Sequence, residues 1–192
     1  MSIRKALYGV NKLFLNRWSP RALSGEKLST NELMTLFEAA RWAPSSYNNQ
    51  PWRFIYAING SVHWQAMFDL MVPFNQSWTK NAAALVLIIS RKNFEYNDKP
   101  ARTHSFDTGA AWMSLALQGS MMGLVVHGME GFDYDKARTT YNIPQDYDIE
   151  AMCAIGKLGR KQDLPLDLQQ KEELTDRKPI ADFVFEGIFK GL

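Results

Sequence analysis

The sequence predicts a single domain that mixes helices with strands, and three stretches carry that expectation. Ser29-Thr30-Asn31-Glu32 is a capping box, and Leu33, Leu36, Phe37 and Ala40 follow at i, i+3, i+4 and i+7, so a helix is expected over about 30–42. Ala82 to Ile89 is an unbroken apolar run rich in Val and Ile, the pattern of a strand covered on both faces. Phe106, Gly109, Ala110, Met113 and Leu117 mark a long buried helix of small and apolar residues reaching about Met122. At 192 residues and 46% hydrophobic, the chain can bury one medium core and is too short for two large ones.

The remaining elements follow in order. Ile3, Leu7, Val10 and Phe14 recur at helical spacing, which reads either as an amphipathic helix in need of a partner surface or as a frayed terminus. Pro20 keeps Asn16 to Arg21 out of a helix, and this segment carries Arg17 and Arg21 around Ser19. Two guanidinium forks beside a hydroxyl suit a phosphate, although on spacing alone a solvated surface pair is the commoner reading. The helix that begins at the capping box stops where Pro44 bars its continuation.

That stop delivers the chain into Ala43-Pro44-Ser45-Ser46-Tyr47-Asn48-Asn49-Gln50-Pro51-Trp52-Arg53-Phe54. Pro44 and Pro51 bound small and amide-bearing residues, and an aromatic, apolar run follows, so a rigid polar loop feeds a strand over about 52–57. The strand stops at the turn dipeptide Asn59-Gly60, and the next stretch, about 62–72, reads as a helix closed by Pro73. The polar segment of about 91–105 is expected to be a mobile loop.

Gly123 to Gly131 is a short apolar piece opening into a glycine-flanked turn, where Gly128 and Gly131 would let the backbone approach a ligand. Asp133 to Tyr141 reads as a short helix and Ile149 to Gly156 as another buried strand. From Gly159 to about Asp176 the chain is polar, a linker or an arm lying along a surface. Phe183, Val184, Phe185, Ile188 and Phe189 are too apolar for a free end and call for a partner, such as a second subunit.

Composition narrows the function. The net charge is +2 with basic residues scattered, which makes no positive face for duplex nucleic acid. Cys153 is the only cysteine, so no intrachain disulfide or cysteine cage can form; the cytoplasm is the expected compartment. Polar residues interrupt the N-terminal stretch, and neither a signal core nor a membrane span is visible. No G-x-G-x-x-G fingerprint, P-loop or nucleophile elbow occurs, and His63, His104 and His127 are isolated, so no metal site is expected. What remains suits a flat, polar-edged, phosphorylated ligand. Asn48, Asn49 and Gln50 offer paired donors and acceptors, while local self-capping of the loop is an equal alternative.

The residues Arg17-Trp18-Ser19-Pro20-Arg21, the block from Ala43 to Phe54, and Met129-Glu130-Gly131-Phe132 resemble, in this order and spacing, the nitroreductase family of FMN-dependent oxidoreductases. The resemblance covers nearly the whole chain and is most specific in Pro44-Ser45-Ser46-Tyr47-Asn48-Asn49-Gln50-Pro51-Trp52. It implies an α+β fold with a central, mostly antiparallel sheet flanked by helices. It implies an intertwined homodimer with an extended C-terminal arm and one FMN at each interface.

By match, Arg17, Trp18, Ser19 and Arg21 would contact flavin phosphate, ribityl chain and pyrimidine edge. Pro44, Ser45, Ser46 and Asn48 would reach the same flavin from the other subunit. Asn75 and Met129, Glu130 and Gly131 would lie at the isoalloxazine, and Arg177 would be a further phosphate contact. The implied reaction carries hydride from NADH or NADPH through flavin N5 to a nitroaromatic, quinone or activated alkene by a ping-pong mechanism, with no catalytic side chain named. Other branches dehydrogenate or dehalogenate small metabolites, and a flavin-binding dimer without turnover is a further alternative. Two departures stand out: Trp78 takes a place where some members carry lysine, and the segment 91–105 is short.

Overall fold

The structure, a computed structural model, describes residues 4–190. Its centre is a four-stranded sheet in the order β1-β2-β4-β3, antiparallel throughout, with β1 Trp52–Ile58, β2 Ala84–Arg91, β3 Leu124–Met129 and β4 Tyr147–Lys157. The helices are α1 Lys12–Asn16, α2 Thr30–Arg41, α3 Trp64–Phe68, α4 Pro73–Thr79, α5 His104–Met121, α6 Tyr134–Thr140 and α7 Leu166–Gln169. This is the α+β arrangement with an antiparallel sheet that the resemblance implies.

The apolar run in β2 fills both sides of the sheet because successive strand residues point to opposite faces. Leu85, Leu87 and Ile89 join Met67, Met71, Trp78 and Leu168 in one core. Ala84, Val86 and Ile88 join Leu33, Leu36 and Leu115 of α2 and α5 in the other. Gly119 lets α5 lie close to β3, since a Cβ there would stand 2.6 Å from Val126 Cγ2. The capping box forms as expected, with Ser29 Oγ accepting from Glu32 N and the Glu32 carboxylate accepting from Ser29 N at 2.8 Å.

Several expectations are corrected. The N-terminal helix covers only Lys12–Asn16, and Ile3 lies outside the described residues. Pro73 opens α4 at its first turn, where a missing N–H costs nothing, and so does not close a helix over 62–72; that stretch holds only the short α3. Within 91–105, residues 92–101 form a hydrogen-bonded hairpin and 104–105 already belong to α5: Ala101 N donates to Lys92 O at 2.7 Å and Phe94 N to Lys99 O at 2.8 Å. In α5 the buried positions are Asp107, Thr108, Ala111, Leu115, Ala116 and Gly119. Phe106, read as core, is 80% exposed, so α5 carries a second apolar stripe facing away from the sheet. Among the described residues, no helix is long and apolar enough to cross a membrane.

Candidate functional site

Arg17, Ser19, Arg21 and Arg177 line one cavity of about 350 Å³, together with Trp18, Arg4, His127, Lys171, Glu173 and Thr175. Five cations face a single carboxylate there, so its lining is strongly positive. Arg17 Nη1 donates to the Trp18 carbonyl at 3.1 Å and lies 3.3 Å from Ser19 Oγ. Burial first, and then Arg4 and Arg177, pull the Arg17 guanidinium below its ordinary pKa. An anion between them would relieve that repulsion. Arg21 Nε is buried with no hydrogen-bond partner among the described residues, and its guanidinium carbon stands 6.0 Å from the Phe74 ring centroid.

His127, set aside from its sequence as an isolated histidine, forms part of this wall. It is 9% exposed, and its Nδ1 lies 2.9 Å from Pro20 O, which only an N–H can exploit, so the imidazole donates there. Burial, aided by Arg21 and Arg17 and opposed by the bond to Pro20, holds its pKa down at about 4. Trp78 packs behind it, with ring centroids 4.5 Å apart and planes tilted by 39°, and is 2% exposed. Trp78 is therefore a core residue and does not stand over a ligand face.

Met129 follows His127 on the same face of β3, about 7 Å further along the strand, and leads into Glu130 and Gly131. The Asn75 amide holds this turn: Nδ2 donates to Gly131 O at 2.9 Å and Oδ1 accepts from Trp78 Nε1 at 3.3 Å. A Cβ on Gly131 would stand 2.7 Å from Asn75 Nδ2, and one on Gly128 would stand 2.9 Å from Trp112 Cζ2. Both glycines thus make room for side chains of this chain.

Pro44, Ser45, Ser46 and Asn48 do not join the cationic cavity. Their loop holds Tyr47, Asn48 and Gln50 in left-handed backbone, at φ 50°, 54° and 49°. Each such residue costs on the order of 1–3 kcal/mol, and such strain clusters where geometry serves function. The loop is held from outside by Asp107 Oδ2, which accepts from Ser46 N at 3.0 Å, and by Glu95 N, which donates to Asn49 Oδ1 at 3.0 Å. Self-capping is present as well, since Gln50 N donates to Ser45 Oγ at 3.0 Å. Tyr47 meets Phe94 edge-on with centroids 5.8 Å apart, so the hairpin of 93–100 braces the loop.

Comparison with known proteins places this arrangement. The model of the family described as Nitroreductase matches residues 15–63 and 59–157. An oxygen-insensitive NADPH nitroreductase of Helicobacter acinonychis (strain Sheeba) is 31% identical over 112 residues, which are 53% of this chain and 52% of that protein, about half its length. Protein DrgA of Synechocystis sp. is 29% identical over 166 residues, 72% of this chain and 78% of that one. A crystal structure described as an oxidoreductase containing FMN superposes with a TM-score of 0.95 at 44% identity, covering 100% of this chain and 98% of that one. A nitroreductase family protein from Clostridium difficile 630 shares the fold, with a TM-score of 0.70 at 19% identity over 93% of this chain and 98% of its own.

Proposed function

Because the chain belongs to the nitroreductase family, we propose that it is an FMN-dependent oxidoreductase that takes a hydride from NADH or NADPH and delivers it to a flat, electron-poor acceptor. The observation that carries the reading is the convergence of Arg17, Ser19, Arg21 and Arg177 on one cavity from opposite ends of the chain. The donor set fits an FMN phosphate: guanidinium forks, a hydroxyl, and the buried Arg21 Nε that lacks a partner among the described residues. FMN, when bound, supplies hydride acceptance and donation at N5.

The protein's part is to bind and orient. Arg17, Trp18, Ser19, Arg21 and Arg177 hold the phosphate end, and the turn of Met129, Glu130 and Gly131, fixed by Asn75, lies toward the ring. Pro44, Ser45, Ser46 and Asn48 serve the site of a second copy, in keeping with their separation from the cationic cavity of their own chain. A homodimer would cover the open stripe of α5 and the apolar tail, where Phe183 is 59% and Phe189 81% exposed. In this reading residues 1–192 form one FMN-binding domain of a cytoplasmic enzyme.

Nicotinamide and acceptor use the same pocket in turn, so initial rates should give the parallel lines of a ping-pong scheme. Reductants NADH and NADPH, tried with a nitroaromatic, a quinone and an activated alkene, test this. Background rates with every pair would rule the reading out.

A further inference from the structure

We propose that Glu172 and His127 are positioning residues that fix the backbone of Pro20 to Ala22 from two sides and thereby aim the Arg21 guanidinium into the cavity; this rests on the anion-binding reading above. Glu172 Oε1 accepts from Arg21 N at 2.7 Å and from Ala22 N at 2.8 Å. His127 donates to Pro20 O at 2.9 Å. Three successive residues are thus gripped by side chains 107 to 151 positions away in sequence. Residues 17–22 lie in neither helix nor strand, and the nearest backbone pairing, Gly159 N to Ala22 O at 2.9 Å beside the Leu23–Leu158 bridge, holds only the end of the segment, so the side-chain contacts fix the backbone at Pro20 and Arg21.

Glu172 is 7% exposed, and a buried carboxylate is tolerated only where donors and positive charge compensate it. Its Oε1 spends its acceptor capacity on the two backbone N–H groups. Lys171, Glu173, Thr175 and Arg177 face the cavity, while Glu172, in the turn that follows α7, points toward the loop. One residue therefore fastens the arm that forms one cavity wall to the loop that forms another. Burial beside Arg21 and Arg17 keeps His127 neutral at pH 7, and the Pro20 carbonyl selects the tautomer that carries its proton on Nδ1. Two buried atoms of the arrangement stay without a partner among the described residues, Glu172 Oε2 and Arg21 Nε, and the second is the donor left for an anion.

The test compares isosteres with deletions in the full-length chain. Glu172→Gln keeps an acceptor oxygen, and His127→Asn keeps an N–H near the Nδ1 position; Glu172→Ala and His127→Leu remove them. Two readouts are taken: amide hydrogen exchange at Arg21 and Ala22 without added flavin, and the Kd for FMN. The deletions should speed exchange and raise the Kd by about tenfold or more, and the isosteres should stay within about threefold on both.

Unchanged exchange in Glu172→Ala, or damage from Glu172→Gln equal to that from Glu172→Ala, would overturn the proposal. So would faster exchange with an unaltered Kd. Faster exchange in a chain whose wild type takes up no FMN would instead remove the anion-binding reading and leave the grip on the loop standing. Should Glu172→Ala fail to fold, Glu172→Asp, which withdraws the oxygen by one methylene, supplies the same contrast.

Discussion

The Asp107 carboxylate, on the first turn of α5, accepts the Ser46 backbone N–H at 3.0 Å and the Thr103 hydroxyl at 3.2 Å. The helix that offers an open apolar stripe therefore also positions the strained polar loop, and a partner seated on α5 would meet that loop at a set distance. Asp107 is 5% exposed, so Asp107→Ala leaves a half-buried N–H unpaired and should destabilise the fold by about 1–3 kcal/mol. Thermal melts measure this. Asp107→Asn retains an acceptor and should lose less.

Arg17→Ala and Arg21→Ala should each weaken FMN retention by about 1.5–3 kcal/mol, the size of a charged hydrogen bond. Arg160→Ala serves as a comparison, because that exposed side chain pairs with Asp163 in its own turn, away from the cavity. Fluorescence titration of apoprotein with FMN gives the three constants. Equal affinities for all three variants would detach the phosphate from the cationic cavity.

His127 makes stability depend on pH. In the unfolded chain its pKa is the ordinary 6.5, and folding lowers it to about 4, so between these values the unfolded state binds more protons. The stabilisation is fully present above about pH 6.5 and is lost as pH falls toward 4, by on the order of 3 kcal/mol. Urea unfolding at pH 7, 5.5 and 4.5 should show a shallower decline for His127→Asn than for the wild type. Parallel curves would mean that the histidine titrates alike in both states.

The open face of α5 predicts an assembly. Phe106 is 80% exposed and shares its stripe with Gly109 and Met113, so Phe106→Glu should leave the monomer folded while blocking close helix contact. Sedimentation should show a dimer for the wild type and a monomer for the variant, and the variant should hold FMN less tightly. A wild-type monomer would remove the need for a second subunit.

Local signals in the chain were legible and distant pairings were not. The Ser29–Glu32 capping box, the apolar run of β2 and the short helix read over Asp133 to Tyr141 act over a few residues, and each appears where its residues stand. Periodicity found α5 but not its buried side, because both of its stripes are apolar and only packing against α2 and β3 chooses between them. Pro73 was ambiguous for a similar reason: proline ends one helix and begins another equally well. The cationic cavity joins Arg17 to Arg177 across almost the whole chain, so a family resemblance was needed to see it. Arg4, His127, Lys171 and Glu172 carried no local signal at all; only the fold shows them beside Arg21.

The most direct measurement is the visible spectrum of the purified protein after incubation with FMN and gel filtration. The account predicts a yellow protein with about one flavin per chain, bleached on addition of NADH or NADPH without oxygen. A colourless protein that retains no FMN would contradict it.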